Sequence, residues 1–218
     1  MNKQILIVFS IIALVVGFFF WNKSKSDNDL VKIMDVPEFE LTNQYGERLS
    51  NEDMKGKVYL VEFFFTSCPT ICPVMKQNLR IIEDSINHPD FGIVSITIDP
   101  KRDTPERLLQ HYKQIQAKSP NWFMLTEKRD YIQELSKKFN IYLGDAQDDA
   151  KSLDHSGLFA LIDKNGKIRS RTNGHGIPKM YYSGLNFTDP EGTKPSLNGT
   201  YHPDVNQVIE DIKILLEE

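Results

Sequence analysis

Two cysteines are the residues whose type and spacing most clearly predict chemistry in this sequence. Cys68 and Cys72 are the only cysteines among 218 residues, and they directly follow the apolar run KVYLVEFFF at residues 57–65. Two thiols this close together can bind one soft metal ion or form a disulfide. Since a disulfide that closes so short a loop adds little stability, both possibilities indicate a reactive site. Inert buried thiols or a structural disulfide are the alternative.

The elements around the cysteines are a predicted strand and a predicted helix. The apolar run has the β-branched and aromatic density of a buried central strand. Apolar residues then recur at helical spacing over residues 74–86, and Pro73 suits the first helical residue because no N–H is needed there. We therefore expect Cys72 at the helix cap and Cys68 in the preceding loop. A thiol at a helix N-terminus has a lowered pKa, because the dipole and free N–H groups stabilise the thiolate.

The rest of the chain alternates strands and helices in the order of a thioredoxin-like α/β sandwich with a central mixed sheet. Further strands are predicted at residues 92–99, 122–125 and 157–163. One further helix is predicted to begin at Pro105, with Thr104 as its cap, and two others are predicted at residues 129–139 and 203–216. Asn165-Gly166 between two apolar runs is typical of a hairpin turn. The Cys68 loop then lies at the carboxyl end of the central strand, where open α/β sheets bind ligands.

A histidine far along the chain is a candidate third ligand. His155 directly precedes the predicted strand at residues 157–163, which is expected to lie beside the central strand. Two sulfurs and one imidazole favour copper over hard cations, whereas three ligands leave zinc open, as in catalytic zinc sites. Asp154 is a candidate for orienting the imidazole, and His175 is the alternative ligand. Taken alone, a histidine after an aspartate is more often a surface or core residue.

The N-terminal residues predict a membrane anchor. Residues 5–21 are apolar apart from Ser10 and Gly17, and at about 1.5 Å per residue they are long enough to cross a hydrocarbon core. A cleaved signal peptide has a similar length, but residues 15–22 lack the small-x-small pattern that cleavage requires. The short N-terminal tail favours export of the rest of the chain. We therefore expect a single-pass protein of the cell inner membrane, with its soluble part on the periplasmic side.

The predicted organisation is an anchor at residues 1–22, a polar tether at 23–31 and one domain at 32–218. An irregular insertion rich in Gly, Pro, Asn and Tyr is expected at residues 173–201. The formal net charge is −4, and the sequence has no basic stripe. These features argue against nucleic acid as a partner.

Three motifs together resemble the Sco/SenC family of membrane-anchored copper proteins. They are FTSCPTICP at residues 65–73, IDPKRDTPE at 98–106 and DHS at 154–156, and they lie in the family's order. The resemblance implies a thioredoxin-like fold in which two cysteines and a histidine, here Cys68, Cys72 and His155, bind Cu(I) or Cu(II).

The resemblance also implies a role in building the binuclear copper site of cytochrome c oxidase, by copper delivery or by reduction of that site's cysteines. The expected partner is the copper-site subunit of the oxidase or another copper or thiol protein. The similarity covers about residues 36–171, and the chain departs from the family pattern at 173–201.

Two classes of function follow from these motifs. A copper metallochaperone holds the ion through Cys68, Cys72 and His155, passes it on by ligand exchange and needs no turnover. A periplasmic thiol-disulfide oxidoreductase uses Cys68 and Cys72 as a catalytic pair without a metal, one thiol attacking and the other resolving the mixed disulfide. The sequence lacks the Cys-x-x-Cys spacing and preceding Trp of thioredoxins, and only the chaperone requires His155.

Overall fold

The computed structural model describes residues 12, 16–17, 30–141, 143, 157–172, 177–185 and 203–218. From residue 30 onward the strands in these ranges are β1 Val31–Asp35, β2 Glu40–Asn43, β3 Arg48–Ser50, β4 Val58–Phe64, β5 Phe91–Thr97, β6 Trp122–Thr126, β7 Leu158–Ile162, β8 Lys167–Ser170 and β9 Tyr182–Ser183. The helices are α1 Cys72–Ile86, α2 Pro105–Gln114, α3 Arg129–Lys138 and α4 Asp204–Glu217.

The sheet is mixed, as predicted. Its strand order is β1-β8-β7-β4-β5-β6-β2-β3, and β9 pairs with β7. The three central strands β4, β5 and β6 are parallel, whereas the strands around them pair antiparallel. Every residue of β4 and β5 is buried, because helices cover both faces of the central strands.

Neighbouring phenylalanines of β4 mark the two covered faces. The ring of Phe63 packs edge-on against Phe139, which follows α3, with 5.8 Å between ring centroids. The ring of Phe64 stacks on His111 of α2, also at 5.8 Å. Successive strand residues point to opposite faces, so α2 and α3 lie on opposite sides of the sheet. Right-handed crossovers from β4 to β5 to β6 place α1 on the same side as α2.

The helix that follows the cysteines is held by an apolar stripe. Met75, Leu79 and Ile82 are fully buried at the i, i+4, i+7 spacing of one helix face. This helix contacts α4, whose buried residues Val208 and Ile212 recur at the same four-residue spacing. The amino end of α1, which directly follows the cysteine loop, is therefore fixed to the core.

The predicted hairpin forms between β7 and β8. Gly166 adopts φ = +72°, a conformation that favours glycine, and its N–H donates to the carbonyl of Asp163. The carboxylate of Asp163 accepts the N–H groups of Asn165 and Lys167, both at 2.9 Å. These bonds fix the turn and hence the register of β7 beside β4.

Pairings near the edges of the sheet were absent from the sequence interpretation. The strand β1 pairs antiparallel with β8 at the edge of the sheet. Within the range predicted to be an irregular insertion, β9 pairs with β7 and buries Tyr182 completely. Part of that range therefore belongs to the folded domain.

The predicted membrane span lies almost entirely outside the described residues. Of residues 5–21 the structure describes Ile12, Val16 and Gly17, which are helical. In the part of the chain that the structure describes, no helix has both the length and the apolar character that a membrane span requires. The anchor remains a prediction.

Candidate metal and thiol site

The two cysteines lie where β4 leads into α1. The chain turns after Phe65, and the N–H of Cys68 donates to the Phe65 carbonyl at 3.3 Å. The helix begins at Cys72, with Ile71 as the N-cap residue and Pro73 in the first turn. The sequence predicted Cys72 as the cap, one residue too late. Proline is tolerated throughout the first turn, because no intrahelical partner exists there for its missing N–H, so it marks a helix start only to within a residue.

Both thiols are buried and interact with each other. Cys68 is 7% exposed and Cys72 is fully buried, and both are free cysteines. Their side chains hydrogen-bond to one another. Cys68 Sγ also lies 3.6 Å from the hydroxyl oxygen of Thr70. The structure therefore brings together two of the three predicted ligands.

The two thiols differ in how easily they ionise. Burial is the largest influence on both and disfavours the thiolate. At Cys68, hydrogen bonds from the backbone of Cys72 and Thr70 and from their side chains together outweigh burial and lower the pKa of the thiol. At Cys72, burial followed by the neighbouring Cys68 and Glu62 side chains raises the pKa. The helix start thus stabilises the thiolate of Cys68 rather than that of Cys72.

A buried aspartate anchors the turn that carries Cys68. Asp103, fully buried before α2, accepts the N–H of Thr66 at 3.0 Å and the Thr66 hydroxyl at 2.5 Å. It also accepts the hydroxyl of Thr97, at the end of β5, at 2.5 Å. We call Asp103, Thr66 and Thr97 the Asp103 network. It joins the predicted second motif at residues 98–106 to the cysteine motif.

Glu62, in the middle of β4, is a buried carboxyl that the sequence interpretation missed. Its Oε1 accepts the Ser95 hydroxyl at 2.7 Å, and that hydroxyl oxygen accepts Nε1–H of Trp122 at 3.1 Å. Oε2 has no hydrogen-bond partner among the described residues. Burial raises the pKa of Glu62 to about 7, although Ser95 and Lys76 oppose this. The signal was one charged residue inside an otherwise apolar central strand.

Lys76 on α1 places a positive charge among these groups. Burial lowers the pKa of Lys76 overall, although electrostatic attraction to Cys72, Glu62 and Cys68 opposes this. Its charge therefore favours the ionised forms of the thiols and of the carboxyl.

The third predicted ligand lies outside the described residues. His155, its candidate orienting partner Asp154 and the alternative ligand His175 are all in ranges that the structure does not describe. Among the described residues, no group of three or more His, Cys, Asp and Glu side chains could hold a metal ion. The full ligand set therefore remains a prediction.

Met75 and the other two described histidines, His88 and His111, have the surroundings of core or surface residues. Met75 is fully buried in the core beneath the cysteine loop. His111 is buried against Phe64, and burial, followed by the charges of Lys76 and Arg107, lowers its pKa to about 4. His88 is exposed beyond the carboxyl end of α1.

Comparison with known proteins gives a family match over most of the chain. The SCO1/SenC family model matches residues 31–186. A SCO2-like protein of Rickettsia conorii is 39% identical over 136 residues, which are 60% of this chain and 65% of that relative. The chain therefore spans slightly less than two thirds of the relative's length.

Solved structures show the same fold. BsSco, described as a member of the Sco family of cytochrome c oxidase assembly proteins with a disulfide switch, superimposes with a TM-score of 0.64 at 25% identity, covering 87% of this chain and 96% of its own. Copper-bound ScoI of Bradyrhizobium japonicum gives a TM-score of 0.52 at 25% identity, covering 65% of this chain and 90% of its own. These matches confirm the thioredoxin-like α/β fold. With its family model matched over residues 31–186, the chain belongs to the SCO1/SenC family.

Proposed function

We propose that this chain binds copper through Cys68, Cys72 and His155 and serves the assembly of the copper site of cytochrome c oxidase. The observation that carries the proposal is the pair of free, buried thiols in mutual contact at the start of α1. A copper-bound family structure and the description of BsSco as an oxidase assembly protein support it.

The donor set fits copper. Two thiolates and an imidazole are soft and intermediate ligands, which bind Cu(I) and Cu(II) in preference to hard cations. The lowered pKa of Cys68 increases the share of thiolate at this thiol, and metal binding itself deprotonates a coordinating thiol such as Cys72. Bound copper would supply a transferable ion.

The sheet register supports His155 as the third ligand. Strands β4 and β7 are antiparallel, with Val61 opposite Ala160. In an antiparallel pair the start of one strand lies beside the end of the other. The chain that leads into β7 therefore enters at the edge of the sheet where β4 leaves toward Cys68, and residue 155 is three residues before β7.

Delivery of copper to a partner's thiols requires only exchange of ligands, and Cys68, the less deeply buried of the two thiols, offers the first sulfur. The same pair can reduce a partner's disulfide: the Cys68 thiolate attacks it, Cys72 resolves the mixed disulfide, and two electrons and two protons pass to the partner's cysteines. We place copper delivery first, because a general oxidoreductase does not require a histidine at position 155.

We further propose that residues 5–21 anchor the protein in the inner membrane, that residues 23–31 are a tether, and that the domain at 32–218 lies on the periplasmic side. A reporter fused after Glu218 should then be active in the periplasm. Activity of such a fusion only in the cytoplasm would contradict this orientation.

Metal analysis of the full chain tests the copper proposal. Purified after expression with copper and zinc both supplied, it should contain about one copper per chain and little zinc, and a variant with both Cys68→Ser and Cys72→Ser should contain neither. Stoichiometric zinc, or copper retained without the cysteines, would contradict the proposal. The matched control is His88→Ala, which removes an exposed histidine and should keep its copper.

A further inference from the structure

We propose that Asp103 is a positioning residue for the thiol pair: its carboxylate holds the turn between Phe65 and Cys68 so that the Cys68 thiol stays beside Cys72. The expected effect on copper affinity rests on the proposed function. The expected effect on the dithiol–disulfide equilibrium does not.

Asp103 accepts hydrogen bonds from two groups of one residue in the turn. Thr66 donates both its backbone N–H and its hydroxyl to the two oxygens of this carboxylate, at 3.0 and 2.5 Å. A two-point contact fixes the orientation of Thr66 as well as its position. Cys68 is two residues further on, in the turn closed by its own N–H to the Phe65 carbonyl.

Asp103 is itself hydrogen-bonded to residues at and just after the end of β5. The Thr97 hydroxyl donates to Asp103 Oδ2 at 2.5 Å and accepts the N–H of Asp99 at 3.1 Å. The backbone N–H of Asp103 donates to the Asp99 carbonyl at 2.9 Å. The network therefore ties the cysteine turn to the end of β5.

Burial strengthens the Asp103 network. Asp103 and Thr97 are both fully buried and Thr66 is half-buried, so water competes little for the carboxylate. The guanidinium of Arg107 donates to Thr66 Oγ1 at 3.4 Å, which places a positive charge near the buried carboxylate. Hydrogen bonds to a buried charged group are among the stronger ones in proteins, and removing one partner leaves the others unsatisfied.

The consequence concerns how readily the thiols act together. Cys72 is fixed in α1, whereas Cys68 depends on the turn for its position. Loosening the turn lowers the effective concentration of one thiol at the other. Oxidation of the pair by glutathione disulfide, which forms one protein disulfide and two glutathione thiols, should then become less favourable, and copper affinity should fall with it.

The test compares variants of the full chain in detergent. Metal-free protein is equilibrated in glutathione buffers, and its dithiol and disulfide forms are counted after acid quenching. We expect Asp103→Asn to lower the equilibrium constant for disulfide formation about tenfold, which is about 30 mV for a two-electron couple. Thr66→Val removes the hydroxyl, which donates to Asp103 and accepts from Arg107, and keeps the backbone N–H contact, so it should give about a third of that effect on a logarithmic scale. Thr66→Ser restores the hydroxyl and should behave as the wild type.

The matched control is Asp211→Asn. Asp211 is also a buried aspartate, which accepts the Tyr182 hydroxyl at 2.5 Å, but it serves the contact between α4 and β9. Its loss should destabilise the fold while leaving the thiol equilibrium unchanged. An effect as large as that of Asp103→Asn would mean that general destabilisation is responsible and would overturn the proposal.

Two further results are decisive. Wild-type thiol equilibria in folded Asp103→Asn and Thr66→Val, with folding checked by circular dichroism, would overturn the proposal. If Asp103→Asn does not fold, the contrast between Thr66→Val and Thr66→Ser decides. If the wild type binds no copper while the thiol equilibrium responds as expected, the positioning role stands and the proposed copper function fails.

Discussion

Ala160 lies directly opposite Val61 in the antiparallel pairing of β7 with β4. Because of this pairing, the strand that ends at the cysteine motif and the strand that begins just after His155 meet at one edge of the sheet. Two regions separated by more than eighty residues of sequence are thereby brought to the same end of the fold. The sheet thus provides a physical basis for a ligand set drawn from both.

The two cysteines should differ in reactivity. Metal-free Cys72→Ser keeps only the Cys68 thiol, whose pKa is lowered by the backbone N–H groups of the helix start despite burial. It should react with iodoacetamide at pH 7 at least about tenfold faster than Cys68→Ser, whose remaining thiol is fully buried with a raised pKa. Rates measured in guanidinium provide the control, since unfolding should make them equal. Equal rates in the native proteins would show that Cys68 is not the more accessible and more acidic of the two thiols.

Glu62 should make the fold less stable as pH rises. Burial raises its pKa from an ordinary value of 4.5 to about 7, so the folded state binds more protons than the unfolded state between these values. Stability should therefore fall as pH rises from 4.5 to 7 and level off above. Glu62→Gln should increase the free energy of unfolding at pH 8 by up to about 3 kcal/mol, with little gain below pH 5. Urea denaturation followed by the fluorescence of buried Trp122 measures this, and an equal gain at both pH values would contradict it.

His111 should have the opposite effect. Burial lowers its pKa from 6.5 to about 4, so the unfolded state binds more protons in this range. Stability contributed by neutral His111 is present above pH 6.5 and is lost as pH falls toward 4. His111→Phe preserves the stack on Phe64 and should remove this loss, which is up to about 3 kcal/mol at pH 4 before solvent screening reduces it. If the stability of that variant fell at acidic pH as the wild type's does, a group other than His111 would be responsible for the loss.

The two effects on stability oppose each other over the same pH range. The wild-type profile between pH 4.5 and 6.5 should therefore be flatter than that of either single variant, and the two variants should deviate in opposite directions. Urea denaturation at half-unit pH steps checks this. Deviations of the same sign would contradict at least one of the two assignments.

The central part of the fold was predictable because its signals are local. The apolar run became β4, and the helical spacing of Leu79, Ile82 and Ile86 became α1. Thr104 caps α2 by accepting the N–H of Arg107. Asn165-Gly166 forms the hairpin turn that the sequence indicates. In each case adjacent residues carry the information.

The remainder depends on contacts between distant residues. The two-residue strand β9 is too short for a periodic pattern, and it exists because β7 offers a pairing edge. The bond between Thr66 and Asp103 spans 37 residues, and no local pattern shows that two loops will meet. Glu62 was visible in the sequence as a charge within a predicted buried strand, but its hydrogen bond with Ser95 joins two strands 33 residues apart in the sequence.

Copper K-edge X-ray absorption of the copper-loaded full chain tests the ligand set most directly, with His155→Ala and His88→Ala measured beside the wild type. We predict two sulfur donors and one imidazole nitrogen in the wild type and in His88→Ala. In His155→Ala the imidazole signal should be lost and copper affinity reduced at least about tenfold, or about 1.4 kcal/mol. An unchanged imidazole signal in His155→Ala, or a wild-type site without a nitrogen donor, would contradict this prediction.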